Sequence, residues 1–270
     1  MNALCQMTGL SRAGYYRWKR PPVVSTVEME LRQEMQQVAL QWPAYGYRRI
    51  TAELRRRGFD VNHKRVLRMM RADNLLCLRE RAFVVTTDSR HDFPVYPNLA
   101  GEITAQAINE LWVSDITYIR LRTEFVYLAV VLDAFSRKVI GWALGRTLGA
   151  ELAVTALRMA LTQRQPRRGL VHHSDRGVQY ASHDYTDLLK EHGVRISMSR
   201  RGNPYDNGAC ESFMKTLKHE EVYRNEYRDI HEAAALIGDF LEWVYNQQRL
   251  HSALGYVPPS EFEQNAQDNS

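Results

Sequence analysis

The chain has 270 residues, 44% of them hydrophobic and 25% charged, a balance that suits a globular protein with one ordinary domain and a small one. No apolar run approaches the ~18 residues that span a bilayer, and the first residues lack a signal-peptide pattern, so no membrane partner is expected. Three widely spaced cysteines, Cys5, Cys77 and Cys210, exclude a disulfide framework and a structural zinc site, and fit a reducing cytoplasm.

Net charge is +5, unevenly spread. Residues 1–81 hold 16 Lys/Arg against 7 Asp/Glu; the rest hold 20 against 24. A basic N-terminal third beside a mildly acidic body points to a polyanion-binding module attached to something else.

Ser11 is placed to cap a short helix carrying Tyr15, Tyr16 and Trp18, which Pro21-Pro22 stops. From Val27 to about Gln41 apolar residues recur at helical spacing. A second helix, Tyr47 to Arg57, is closed by Gly58, and Asn62 caps a third that runs to about Met70. The pair reads as a helix-turn-helix. Its later helix carries His63, Lys64, Arg65, Arg68 and Arg71 around a buried stripe of Val66, Leu67 and Met70. Such a helix can enter a major groove with cations on phosphates and base edges; a solvated basic face is the plainer reading.

Residues 82–108, with Pro94, Pro97 and Gly101, read as a linker. Strands follow at 110–119, 125–132 and 138–144, joined by short turns and so antiparallel. Asp133 caps the turn after the second. A helix over 151–163 leads to a short strand over 169–174, reached by a crossover and therefore parallel to its neighbour. A helix at 185–192, a strand at 194–198 and helices at about 208–222 and 230–247 complete the chain. The order predicts an α/β fold, a ribonuclease-H-like mixed five-stranded sheet flanked by helices and preceded by a small all-α helix-turn-helix domain. The expected divisions are an N-terminal helical extension (1–24), a helix-turn-helix domain (25–81), a linker (82–108), a catalytic core (109–225) and a C-terminal helix and tail packing on the core (226–270). Asn246, Arg249 and His251 are expected to dock that last helix, and Cys210 to be a small buried residue.

Three carboxylates stand out. Asp115 interrupts a strand and shares a face with Val113, Thr117 and Ile119, where a carboxylate is costly unless paired or bound to a cation. Asp175 lies where the fourth strand ends and a loop begins, the edge at which α/β sheets place their chemistry. Glu211 opens a helix that Asp206 or Asn207 can cap. Lys215 and Lys218 follow on its face, able to bond phosphate oxygens or, for Lys215, to form an ordinary surface ion pair with Glu211. An all-oxygen ligand set suits Mg2+, with Mn2+ able to substitute. Two such ions roughly 3.5–4 Å apart can drive an in-line phosphoryl displacement.

The triad Asp115, Asp175, Glu211, with 35 residues between the last two, resembles the DDE core of retroviral integrases and insertion-sequence transposases. Three segments narrow the likeness: Leu111-Trp112-Val113-Ser114-Asp115-Ile116-Thr117-Tyr118, His172-His173-Ser174-Asp175-Arg176-Gly177-Val178-Gln179-Tyr180, and Glu211-Ser212-Phe213 with Leu217-Lys218. With Tyr45-Gly46-Tyr47-Arg48-Arg49-Ile50 and the terminal Tyr245-Asn246, Arg249, His251-Ser252-Ala253-Leu254-Gly255-Tyr256 and Pro259, they resemble the second-frame (OrfB) transposase of insertion-sequence family three.

The resemblance implies a Mg2+-dependent DNA transposase. Water cleaves a strand at each element end, and the freed 3′-hydroxyl attacks another phosphodiester. It implies two metal ions on Asp115, Asp175 and Glu211. Further implied are a homo-oligomer, at least a dimer, on paired terminal inverted repeats and target DNA; an upstream-frame (OrfA) partner; and a bacterial, nucleoid-associated location. Arg176, Gln179, Tyr180, Arg200 and Arg201 are candidate DNA contacts, with loop packing the alternative for the first three. His173 and Asn207 are candidates to support the metal ligands, and His173 reads equally well as a satisfied strand-end histidine. Two other functions remain in view. A metal-dependent nuclease would cut without joining, and a DNA-binding regulator would use only the basic helices above a silent core.

Overall fold

The computed structural model describes residues 26–75, 94–200 and 207–268, together with Ser11, Ala13 and Tyr15. The chain forms two compact units, Met1–Leu78 and Arg79–Ser270. At the start, the Tyr15 N–H donates to the Ser11 carbonyl, one helical turn; the rest of the expected first helix, Tyr16 and Trp18 included, lies outside the described residues.

In the first unit α1 (Thr26–Gln41), α2 (Tyr47–Arg56) and α3 (His63–Ala72) pack through Leu31, Met35, Val38, Ile50, Leu54, Val66, Met69 and Met70. Gly58 has φ +91°, the left-handed residue that ends α2. Asn62 caps α3 by accepting from the Lys64 N–H at 2.8 Å. Arg55 fixes the turn through the Val61 carbonyl, and Arg57 ties α2 to Glu34 and Gln41 of α1. One detail of the expected stripe is corrected. Met69 is buried and Leu67 only half-buried, because α3 turns its Val66–Met69–Met70 edge inward.

The second unit is built on a five-stranded sheet of order β3-β2-β1-β4-β5. Its strands are β1 (Leu111–Arg120), β2 (Phe125–Asp133), β3 (Val139–Gly145), β4 (Val171–Ser174) and β5 (Arg195–Met198). The first three are antiparallel; β4 and β5 run parallel to β1. One face packs under α4 (Ala150–Arg164), the short α5 (Val178–Ala181) and α6 (His183–Glu191), around Trp112, Leu157, Tyr180 and Tyr185. The other carries Val113, Ile119, Leu128 and Val130 against α7 (Gly208–Glu220) and α8 (Ile230–Asp239).

α4 lies so close to β3 that a Cβ on Gly141 would meet the Ala156 carbonyl oxygen at 2.2 Å and Ala160 at 2.9 Å. Backbone cannot swing aside as a side-chain end can. Gly141→Ala is therefore expected to cost roughly 1–3 kcal/mol by overpacking, read as a lower urea midpoint. An unchanged midpoint would mean that the helix slides freely.

Where one long α-helix was expected over 230–247, α8 passes at Phe240 into a π-helix, Phe240–Gln248. In that wider register the Asn246 side chain pairs with Val139, accepting its N–H and donating to its carbonyl, both at 2.9 Å. Arg249 grips Glu220 of α7 with two bonds of 2.7 Å. A last helix, α9 (Pro259–Asp268), brings Glu263 to Arg164 and Lys138. Asp133 caps its turn as expected, accepting from Phe135 and Ser136. Cys210 is buried. Part of the segment read as a linker is docked on the sheet: Leu99, Ala100 and Ile103 pack against the core, and both the Leu99 and Ala100 N–H groups donate to Ser197 Oγ.

Candidate active site

β1 and β4 set the geometry. Their register pairs Leu111 with Val171, Trp112 with His172 and Val113 with His173. Continued two residues in the same direction, it brings Asp115 level with Asp175 on the same face of the sheet. α7 packs across that face through Cys210, Phe213, Met214 and Leu217, with Glu211 in its first turn.

The charges register this proximity. Asp115 is pushed up to about 7, first by burial and then by Asp175, with Glu211 adding to it; the Ile116 N–H and Lys218 pull the other way. The residue keeps part of its surface open, so burial acts through the density of protein around the carboxyl rather than through complete exclusion of water. Lys218, half-buried, holds its Nζ 4.6 Å from the Tyr118 ring centre; burial lowers its pKa and Asp115 opposes that. The Asp175 carboxylate accepts the Gly177 N–H at 2.9 Å, which shapes the loop after β4.

A raised carboxylate sets a sign. Between pH ~4 and ~7 the folded chain holds a proton on Asp115 that the unfolded chain has lost, so this group's contribution to stability falls as pH rises through that window. In metal-free protein, Asp115→Asn should gain thermal midpoint relative to the parent from pH 5 to 8. A gap between the two that stays constant with pH would contradict the crowding of carboxylates.

Asn207 precedes α7 but makes no capping bond; its Nδ2 donates to the Ser114 carbonyl at 3.1 Å instead. Of the two expected caps, Asp206 lies outside the described residues and Asn207 is corrected: its amide is spent across 93 residues, tying the start of the Glu211 helix to β1 beside Asp115. Its Oδ1 is buried with no hydrogen-bond partner among the described residues. Ser114 is held from the opposite face, its Oγ 2.8 Å from His172 Nε2, which also lies 2.9 Å from the Tyr185 hydroxyl. Burial, then His173, takes His172 down to about 3, so it is neutral. This Ser114–His172–Tyr185 cluster was not legible in the sequence, where only the paired histidines hinted at it.

His173 Nδ1 lies 2.8 Å from Ser197 Oγ and Nε2 2.9 Å from Ser199 Oγ. Ser197 already accepts two backbone N–H groups, so its proton goes to Nδ1 and the ring proton sits on Nε2. A satisfied strand-end histidine is the reading of the two that this geometry favours.

Tyr180 is 3% exposed and its hydroxyl has no partner among the described residues; packing against Tyr185 holds the ring inside, which favours the packing alternative over a DNA contact. Arg176 Nε bonds the Ser199 carbonyl and Gln179 Nε2 the Leu148 carbonyl. Arg200 is exposed; Arg201 lies outside the described residues. Lys215 sits 3.9 Å from Glu211, the surface ion pair already considered for it. His63, Lys64, Arg68 and Arg71 are exposed on α3, while Arg65 is half-buried, 3.8 Å from Glu28.

Among the described residues no three His, Cys, Asp or Glu side chains are grouped tightly enough to hold a metal ion. No helix among them is long and apolar enough to cross a membrane.

A mixed five-stranded sheet with one aspartate in β1 and another just past the end of β4, a glutamate in the first turn of the helix packed on that face, and a helix-turn-helix unit ahead of it are the features of the integrase-core class of DNA-acting enzymes. Family models agree: an HTH-like domain matches residues 26–83 and integrase core domains match 105–204 and 192–259. The insertion element IS600 uncharacterized 31 kDa protein of Shigella sonnei is 38% identical over 97% of this chain and 97% of its own length. Transposase InsF for insertion sequence IS3A of Escherichia coli (strain K12) is 36% identical over 97% of this chain and 93% of its own. A chain of the simian T-cell lymphotropic virus intasome shares the fold, with a TM-score of 0.50 at 15% identity, covering 85% of this chain and 74% of that one. The chain belongs to the IS3-type family of insertion-sequence transposases.

Proposed function

We propose that the chain cuts the ends of its element and joins the resulting 3′-hydroxyls to a second DNA. In this reading Asp115, Asp175 and Glu211 are the metal-binding carboxylates. The observation that carries it is the register of β1 and β4, which leads to Asp115 within β1 and Asp175 just past the end of β4, beneath a glutamate helix that Asn207 ties to β1.

The donor set fits a pair of Mg2+ ions, or Mn2+ in their place. It offers oxygen alone, and Asp175 and Glu211 both raise Asp115, a shortage of positive charge that a hard cation would relieve. Glu211 keeps 39% of its side chain exposed beside Lys215, free to turn inward as the third ligand. Bound ions supply activation of the attacking oxygen and charge neutralisation at the leaving 3′-oxygen. The chain itself aligns the groups. The sheet fixes the two aspartates, the Gly177 N–H holds Asp175, and Asn207 sets the approach of α7.

Lys215 beside Glu211 and Lys218 beside Asp115 are candidate phosphate contacts, and Arg200 and Arg176 are further candidates. His63, Lys64, Arg68 and Arg71 give α3 its face toward DNA. The substrates in this reading are the element's terminal inverted repeats and a target duplex, handled by at least two copies of the chain, with an upstream-frame product as partner, at the bacterial nucleoid.

Labelled end DNA incubated with a target plasmid and Mg2+ should yield covalent joint molecules. Cut ends without joints would make the chain a nuclease; retention of the DNA uncut would leave only the binding role. Asn207→Ala should lower the joining rate about 10–100-fold, the usual cost of removing a group that orients metal ligands. An unaltered rate would free Glu211 from this tie.

A further inference from the structure

We propose a second DNA-backbone site on this chain, in the arginine-lined cavity at the opposite end of the sheet from the carboxylates. The cavity, about 830 Å³, lies where α4 turns into β4 and where β5 begins; Arg164, Arg167, Arg168 and Arg195 line it. Leu170 and Val171 form its floor. Asp175 lies five residues beyond Leu170 along the strand direction, so roughly 16 Å of extended chain separates floor and carboxylates.

Two of the charges that line the cavity are already engaged. Arg164 donates to Glu263 at 2.6 Å, and Glu110, the one carboxylate in the lining, accepts the Gln106 and Ala107 N–H groups. Arg167, Arg168 and Arg195 are exposed, and their side chains make no ion pair or hydrogen bond among the described residues. Backbone curvature gathers them. Gly193 has φ +67°, and a Cβ there would stand 2.9 Å from Arg168 Cγ, so the Arg168 stem lies against Gly193, two residues before Arg195.

Three free guanidinium groups in one recess, within residues 82–270 that carry 20 Lys/Arg against 24 Asp/Glu, are a concentrated positive field in an otherwise acidic body. Forked donors match phosphate oxygens. No aromatic side chain lines the cavity to stack a base, which favours the phosphodiester backbone over base recognition. Joining brings together two DNA segments whose reacting groups meet at the carboxylates. A recess roughly 16 Å away suits the flanking backbone of one of them.

The test uses the full chain with EDTA present, so that its outcome does not depend on the carboxylate reading. Binding of a labelled duplex is measured across salt concentrations for the parent and for Arg167→Gln/Arg168→Gln/Arg195→Gln. Losing three phosphate contacts should reduce the slope of log affinity against log salt by about 2.7, and the matching triple Lys variant should restore most of it. On the parent chain, phenylglyoxal labelling read by mass spectrometry should show duplex shielding Arg167, Arg168 and Arg195. An unchanged slope, or full labelling of these three while Arg68 and Arg71 are shielded, overturns the site. Shielding by millimolar inorganic phosphate alone would make it a small-anion site, and shielding by raised protein concentration without DNA would make it a contact between copies; either result also overturns it.

Discussion

Asp175→Asn should abolish both end cleavage and strand joining, by at least ~10³-fold, while duplex binding stays within a factor of about two. The size follows from several kcal/mol of lost charge stabilisation, at about 1.36 kcal/mol per tenfold in rate. Shape is preserved: an amide keeps the oxygen that accepts the Gly177 N–H, so the loop after β4 should hold its course. Removing the charge should also bring Asp115 back toward the ordinary carboxylate range, since Asp175 raises it more than any other charge does. A variant that joins strands at the parent rate would end the assignment.

Arg249→Ala should be the most damaging change away from the carboxylates. Arg249 and Glu220 are 3% and 10% exposed at their side chains and share two bonds of 2.7 Å. Truncating the arginine strands a carboxylate inside the protein, which costs about 3–5 kcal/mol. It also releases the segment after the π-helix from α7, the helix that carries Glu211. The thermal midpoint should drop by many degrees, and Arg249→Met with Glu220→Leu should recover much of it, because an apolar pair leaves no buried charge. A single variant that melts like the parent would show the pair to be ornamental.

The sheet was readable because its strands are dense in β-branched and aromatic residues and its connections are short enough to dictate direction. The two aspartates were readable for the opposite reason: each breaks the composition of its surroundings. What stayed hidden depended on partners far away in the chain. Asn207 looks like any residue before a helix, and its choice of the Ser114 carbonyl over the first turn of α7 is decided 93 positions earlier. Tyr180 sits in a loop-like, polar stretch, yet packing against Tyr185 draws it inside. The π-helix at Phe240–Gln248 follows from the fit between Asn246 and Val139, a contact that periodicity cannot carry. Arg167 and Arg168 are neighbours in the sequence, but only folding adds Arg195 to them.

The central claim is that residues 115, 175 and 211 grip the same ions. Fe2+ loaded in place of Mg2+ onto the DNA-bound chain, then exposed to ascorbate and peroxide, generates hydroxyl radicals that cut polypeptide beside the metal. Cuts at all three places, in β1, after β4 and at the start of α7, lost together in Asp115→Asn, are the expected result. Cleavage confined to one of them, or centred elsewhere in the chain, would contradict it.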